Sequence, residues 1–66
     1  MKIVIWTNQI SQVVKEANTD ERITHLKTMT EYADGRATWT NLTETEFVVL
    51  EDVAACLGLQ YDGSQE

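Results

Sequence analysis

Cys56 is the only cysteine and His25 the only histidine in a chain of 66 residues, and these two singletons bound what the chain can become. No disulfide can close within it, and no Cys/His zinc site can reach four ligands. A domain of this size buries only roughly 60% of the surface its unfolded chain exposes. Scaffolds this small often draw on cross-links, a metal or association for support. Here the support has to come from apolar burial within one domain, or from a partner. The length allows no second domain.

The apolar residues are spaced for such a core. Lys2-Ile3-Val4-Ile5-Trp6 is β-branched and aromatic without a break, which predicts a buried strand. After the polar Thr7-Asn8-Gln9, residues Ile10, Val13, Val14 and Ala17 fall at helical spacing, with Ser11, Gln12, Lys15 and Glu16 on the other side. Residues 22–33 read two ways. As a helix, Asn18 would cap it with Glu21, and Ile23, Leu26, Met29 and Ala33 would share a face. As a strand, Thr24, Leu26, Thr28, Thr30 and Tyr32 alternate with their neighbours, and the three threonines favour this reading. Asp34-Gly35 then forms a two-residue hairpin turn into a return strand over 36–41. That register sets Tyr32 opposite Ala37 and Thr30 opposite Trp39.

Thr43-Glu44-Thr45-Glu46 has the form of a capping box, and Gly58 follows Leu57 as a left-handed stop, so a helix is expected over 44–57. Gln60 to Glu66 is polar and carries a glycine, so 60–66 is expected as a flexible acidic tail on a compact domain of residues 1–59. The fold class is α+β: strand-helix-strand-strand-helix, with the helices on one face of a three-stranded sheet. Four strands followed by one helix is the alternative. The expected core is Ile3, Ile5, Ile10, Val14, Leu26 and Tyr32, continued by Trp39, Phe47, Leu50, Val53, Ala54 and Leu57.

Charge is divided more sharply than its total of −6 implies. Five acids and five bases balance each other up to Arg36, and six acids with no base follow from Ala37 onward. Such a balance disfavours direct binding to nucleic acid or to an anionic membrane. No apolar run approaches the roughly 18 residues of a membrane span, and the N-terminal run is too short for a secretory signal. A cytoplasmic protein with a free thiol is therefore expected, in which the Asn41-Leu42-Thr43 glycosylation sequon is accidental.

Catalysis finds little to work with. Cys56 and His25 are the only nucleophile and base of that kind, with Cys56 expected on the packed shoulder of its helix as inert filler. Gly35, Gly58 and Gly63 are scattered and form no phosphate loop. No enzyme, metal or cofactor is expected. The stretch Leu50 to Leu59 is similar to the first helix and turn of a helix-turn-helix reader, but only seven residues follow it and no base lies beyond Arg36.

The C-terminal helix carries the functional expectation. At about 100° per residue, Glu44, Val48, Glu51, Asp52 and Ala55 share the arc opposite the core face, so two apolar residues stand exposed among three carboxylates. No lysine or arginine on that helix offsets the repulsion. An apolar centre ringed by acids suits a cationic protein partner. A row of carboxylates can also imitate phosphates in a groove built for nucleic acid. The expectation is a small acidic protein-binding module, an inhibitor or regulator of a basic, nucleic-acid-binding protein, of the type common among small viral and phage inhibitors. The alternative is a self-associating structural module, a homodimer paired through Val48 and Ala55 or through a strand edge.

Overall fold

The computed structural model describes residues 1–23, 30–32 and 35–64. In chain order the elements are β1 (Lys2–Trp6), α1 (Ile10–Asn18), β2 (Thr30–Tyr32), β3 (Arg36–Trp39), α2 (Glu44–Cys56) and β4 (Gln60–Ser64). Class and order through α2 follow the sequence expectation. The sheet, however, has four strands in the order β2-β3-β1-β4, and every pairing is antiparallel. This βαββαβ connectivity, with β3 placed between β1 and β2, is the split β-α-β, or ferredoxin-like, arrangement. It hosts many unrelated functions and selects none of them.

β4 corrects the expected tail. Gln60–Ser64 runs antiparallel to β1, from Trp6↔Gln60 through Val4↔Asp62 to Lys2↔Ser64. Composition disguises it, because Asp and Gly are depleted in strands. Packing explains the glycine: a Cβ on Gly63 would lie 2.5 Å from the Phe47 Cζ atom. The missing side chain makes room for the ring of α2 against the sheet. The compact unit thus extends at least to Ser64, beyond the expected boundary at residue 59.

The hairpin forms in a different register. Thr30 pairs with Thr38, Glu31 with Ala37 and Tyr32 with Arg36, one residue away from the expected pairing. Residues 33–35 separate the strands, and Gly35 at φ +80° takes the left-handed conformation that longer hairpin loops require. Thr7 N–H donates to the Gly35 carbonyl at 2.6 Å, tying the turn to the end of β1. The return strand ends at Trp39 rather than 41. The choice between helix and strand resolves to strand for 30–32; residues 24–29, with His25 and Leu26, lie outside the described residues.

One face of the sheet forms the core. Ile3, Ile5, Ala37 and Trp39 are buried with Ile10, Val13 and Ala17 of α1 and Val49, Leu50 and Ala54 of α2. Ile23 and Leu42 complete the cluster. Val14, Phe47, Val53 and Leu57 were expected inside and are only partly buried against it. Val49, which is not among the residues expected in the core, is fully buried. The Tyr32 side chain lies outside the description.

α2 is held at both ends as its sequence implies. Thr43 Oγ1 accepts from the Glu46 N–H at 3.2 Å, and Glu46 Oε1 accepts from the Thr43 N–H at 2.9 Å. A cap of this kind is worth about 1 kcal/mol. The helix ends at Cys56 with Leu57 as its cap residue. Gly58 N–H then donates to the Ala55 carbonyl and Leu59 N–H to the Ala54 carbonyl, both bonds of a Schellman motif, with Gly58 at φ +69°. At the N-terminal side, Met1 and Leu42 exchange backbone hydrogen bonds of 2.9 and 3.1 Å. This pair is one residue out of step with Ile3↔Trp39, and Asn41 at φ +56° absorbs the extra residue. The bulge buries Leu42 and leaves Thr43 ready to start α2.

Candidate functional site: the exposed face of α2 and the groove beside it

α2 is apolar around most of its circumference, so it cannot hide every apolar residue against the sheet. Val49, Leu50 and Ala54 take the buried positions. Val48 remains 38% exposed, one of only three large hydrophobics so exposed among the described residues, with Trp6 and Tyr61. Glu44, Asp52 and Ala55 are also exposed, and Glu51 is half-buried. Offsets of four, seven, eight and eleven residues from Glu44 carry these five along one strip of the helix. The sequence-derived strip of Glu44, Val48, Glu51, Asp52 and Ala55 thus runs along the outside of α2.

The strip is not wholly without a cation. Arg22, in the turn after α1, reaches across to Asp52, with its Nη2 3.4 Å from Oδ2. Its principal partner is Asp20. Nε donates to Asp20 Oδ1 at 3.0 Å and Nη2 to Oδ2 at 2.8 Å, while the Arg22 backbone N–H also donates to Oδ1 at 2.9 Å. This fork of charge-assisted bonds holds the Asp20 carboxyl at about 2, below its ordinary 3.8, mainly through the side-chain bonds and then the backbone bond. The same contact pushes the Arg22 guanidinium upward.

A pH dependence follows. The lowered pKa of Asp20 means the folded state favours its charged form, so that stabilisation is complete above the unfolded value of 3.8 and is lost as pH falls through about 2. Thermal midpoints measured between pH 4 and pH 2 should fall more steeply for the natural chain than for Asp20→Asn. Parallel profiles would mean that the fork contributes nothing to folding.

Between α1 and α2 lies a groove of about 230 Å³. Val53 of α2 and its cap residue Leu57 give it an apolar lining, with the fully buried Val49 behind them. Glu16, Asp20 and Asp52 stand at its rim with Arg22, and Cys56 lines it from the end of α2. Cys56 is exposed, contrary to its expected place as buried filler. Sequence reasoning missed this groove. The Asp20-Glu21-Arg22 spacing hints at a local fork, but nothing in the sequence says which side of α1 meets α2. Glu16 Oε1 accepts from Gln12 Nε2 at 2.8 Å, so it is steadied one turn back on its own helix.

Among the described residues no three His, Cys, Asp or Glu side chains are grouped to hold a metal ion. Nor is any described helix long and apolar enough to cross a membrane. Compared with protein-family models, curated proteins and solved structures, the chain gives no match.

Proposed function

We propose that this protein is a small acidic binding module, an inhibitor or regulator that engages a basic, nucleic-acid-binding protein in the cytoplasm through the outer face of α2. The observation that carries the reading is the strip itself: exposed Val48 and Ala55 set among Glu44, Glu51 and Asp52 on a helix without a basic residue. Glu46 adds a further carboxylate in the first turn. Apolar contact at the centre supplies affinity, and the surrounding carboxylates steer a cationic surface and stand in for the phosphates it would otherwise bind. Arg22 tempers the charge only at Asp52.

The test is a double substitution, Val48→Arg with Glu51→Lys. Proteins retained from a lysate at moderate salt are identified by mass spectrometry, and the captured partner is then purified and titrated against both chains. The double variant should bind at least about tenfold more weakly, a loss of some 1.4 kcal/mol. Binding by the natural chain should also weaken steeply with salt. Unchanged affinity in a variant that melts normally would refute the surface.

Self-association is the second reading, and one observation favours it. β4 is an edge strand of five residues, with its outer edge unpaired among the described elements. Sedimentation at rising concentration separates the two readings, since apolar or strand-edge pairing should persist in high salt.

A further inference from the structure

We infer that the groove between α1 and α2 is the seat of an arginine-bearing peptide segment, which sets an apolar side chain on Val53 and Leu57 and its guanidinium at the acidic rim. This inference rests on the reading of α2 as the binding helix for a basic protein. It moves the anchor point from the Val48 crest to the neighbouring groove.

Size and charge select the occupant. A volume of about 230 Å³ is below the roughly 300–1,000 Å³ of small-molecule sites, and it suits one or two protein side chains. The lining at Val53 and Leu57 is apolar, so an apolar anchor belongs there. Around it stand three carboxylates against one guanidinium, which leaves the mouth of the groove negative. Glu16 and Asp52 have room for another donor. The Asp52 side chain is 63% exposed and, among the described residues, holds only the 3.4 Å contact to Arg22, while Glu16 holds the Gln12 amide through one oxygen.

Arginine fits this rim better than lysine. The fork between Asp20 and Arg22 shows that a planar guanidinium can lie at the mouth and still reach Asp52. A guanidinium is also more weakly hydrated than an ammonium and loses less on leaving water beside an apolar wall.

Cys56 lines the same groove and is exposed, so its reaction with a thiol-reactive disulfide dye reports occupancy. The probe is a synthetic amphipathic helical peptide of leucine, alanine and arginine. Two controls replace its arginines by glutamate or its leucines by serine. The arginine–leucine peptide should slow Cys56 labelling about tenfold or more at saturation, and neither control should. Glu16→Lys with Asp52→Lys, both at exposed positions, should erase the protection without lowering the melting temperature.

Three outcomes overturn the inference. Equal protection by the serine control would mean that charge alone binds, without the groove. Peptide binding that leaves Cys56 reactive and is lost in Val48→Arg, Glu51→Lys would put the peptide on the crest, sparing the binding-helix reading while removing this one. Protection that rises with protein concentration in the absence of peptide would make a second copy the occupant. Failure of the broader reading looks different: a basic partner would then bind the crest and groove variants as tightly as the natural chain.

Discussion

A chain ended after Leu59 is expected to lose cooperative unfolding altogether. The cut leaves the α2 stop intact, because the Leu59 N–H that bonds to Ala54 is retained. What disappears is β4, and with it the ladder along all five residues of β1. The edge of β1 would then be bare beside Ile3 and Ile5, both fully buried, and the Phe47 ring would lose the backbone beneath it. Stability of roughly 0.05–0.15 kcal/mol per residue gives a chain of 66 residues only about 3–10 kcal/mol in total. Removing the edge strand that covers all of β1 should consume most of it. Circular dichroism during heating is the measurement: a sharp transition in the full chain, a broad and featureless one after truncation. A milder version, Gly63→Val, should cost about 1–3 kcal/mol by forcing the Phe47 ring aside. Had residues 60–66 been a passive tail, neither change would shift the midpoint.

The second large effect is expected at Leu50. Its side chain is fully buried in the cluster that joins both helices to the sheet, so Leu50→Ala should cost about 2–5 kcal/mol through lost burial and the cavity left behind. In a domain this small that range spans partial to complete unfolding. Val48→Ala, two residues earlier on the same helix, removes a side chain that is 38% exposed and should change stability by less than about 0.5 kcal/mol. Urea titration of the two variants makes the comparison. Equal losses would mean that α2 is rotated about its axis relative to the arrangement described, and the exposed strip would rotate with it.

Local chemistry was the legible part of this sequence. The capping box at Thr43 and Glu46, the glycine stop at Gly58 and the α1 face of Ile10, Val13 and Ala17 all act over a few residues, and their patterns read directly. The outward position of Val48 and Ala55 followed from helical spacing in the same way. What stayed hidden depends on partners distant in the chain. β4 is polar because its outer face meets water, and its Gly63 looks like a loop residue until Phe47 is placed against it. The hairpin register turned on one residue, since the assumed two-residue turn at Asp34-Gly35 gave way to three residues between the strands. Val53 was expected in the core and Val49 was not, and their burial is reversed, because a helix apolar on most sides offers no unique inner face. Arg22 and Asp52 lie thirty positions apart. Their meeting, and the groove they border, depends on how α1 and α2 pack.

The placement of β1 also governs the order in which this molecule can be made. β1 lies between two strands that both follow it in the chain, β3 and β4, so its two edges are satisfied at different moments of synthesis. β3 can cover one edge once residues 36–39 have emerged. The other edge waits for residues 60–64. Until then the nascent chain presents Ile3, Val4 and Ile5 along an open β edge, the kind of template that invites pairing with another chain. The interval is short at ordinary translation rates of ~5–20 residues per second, yet it is the stage at which a chaperone, or a neighbouring nascent copy, would have its greatest influence on yield.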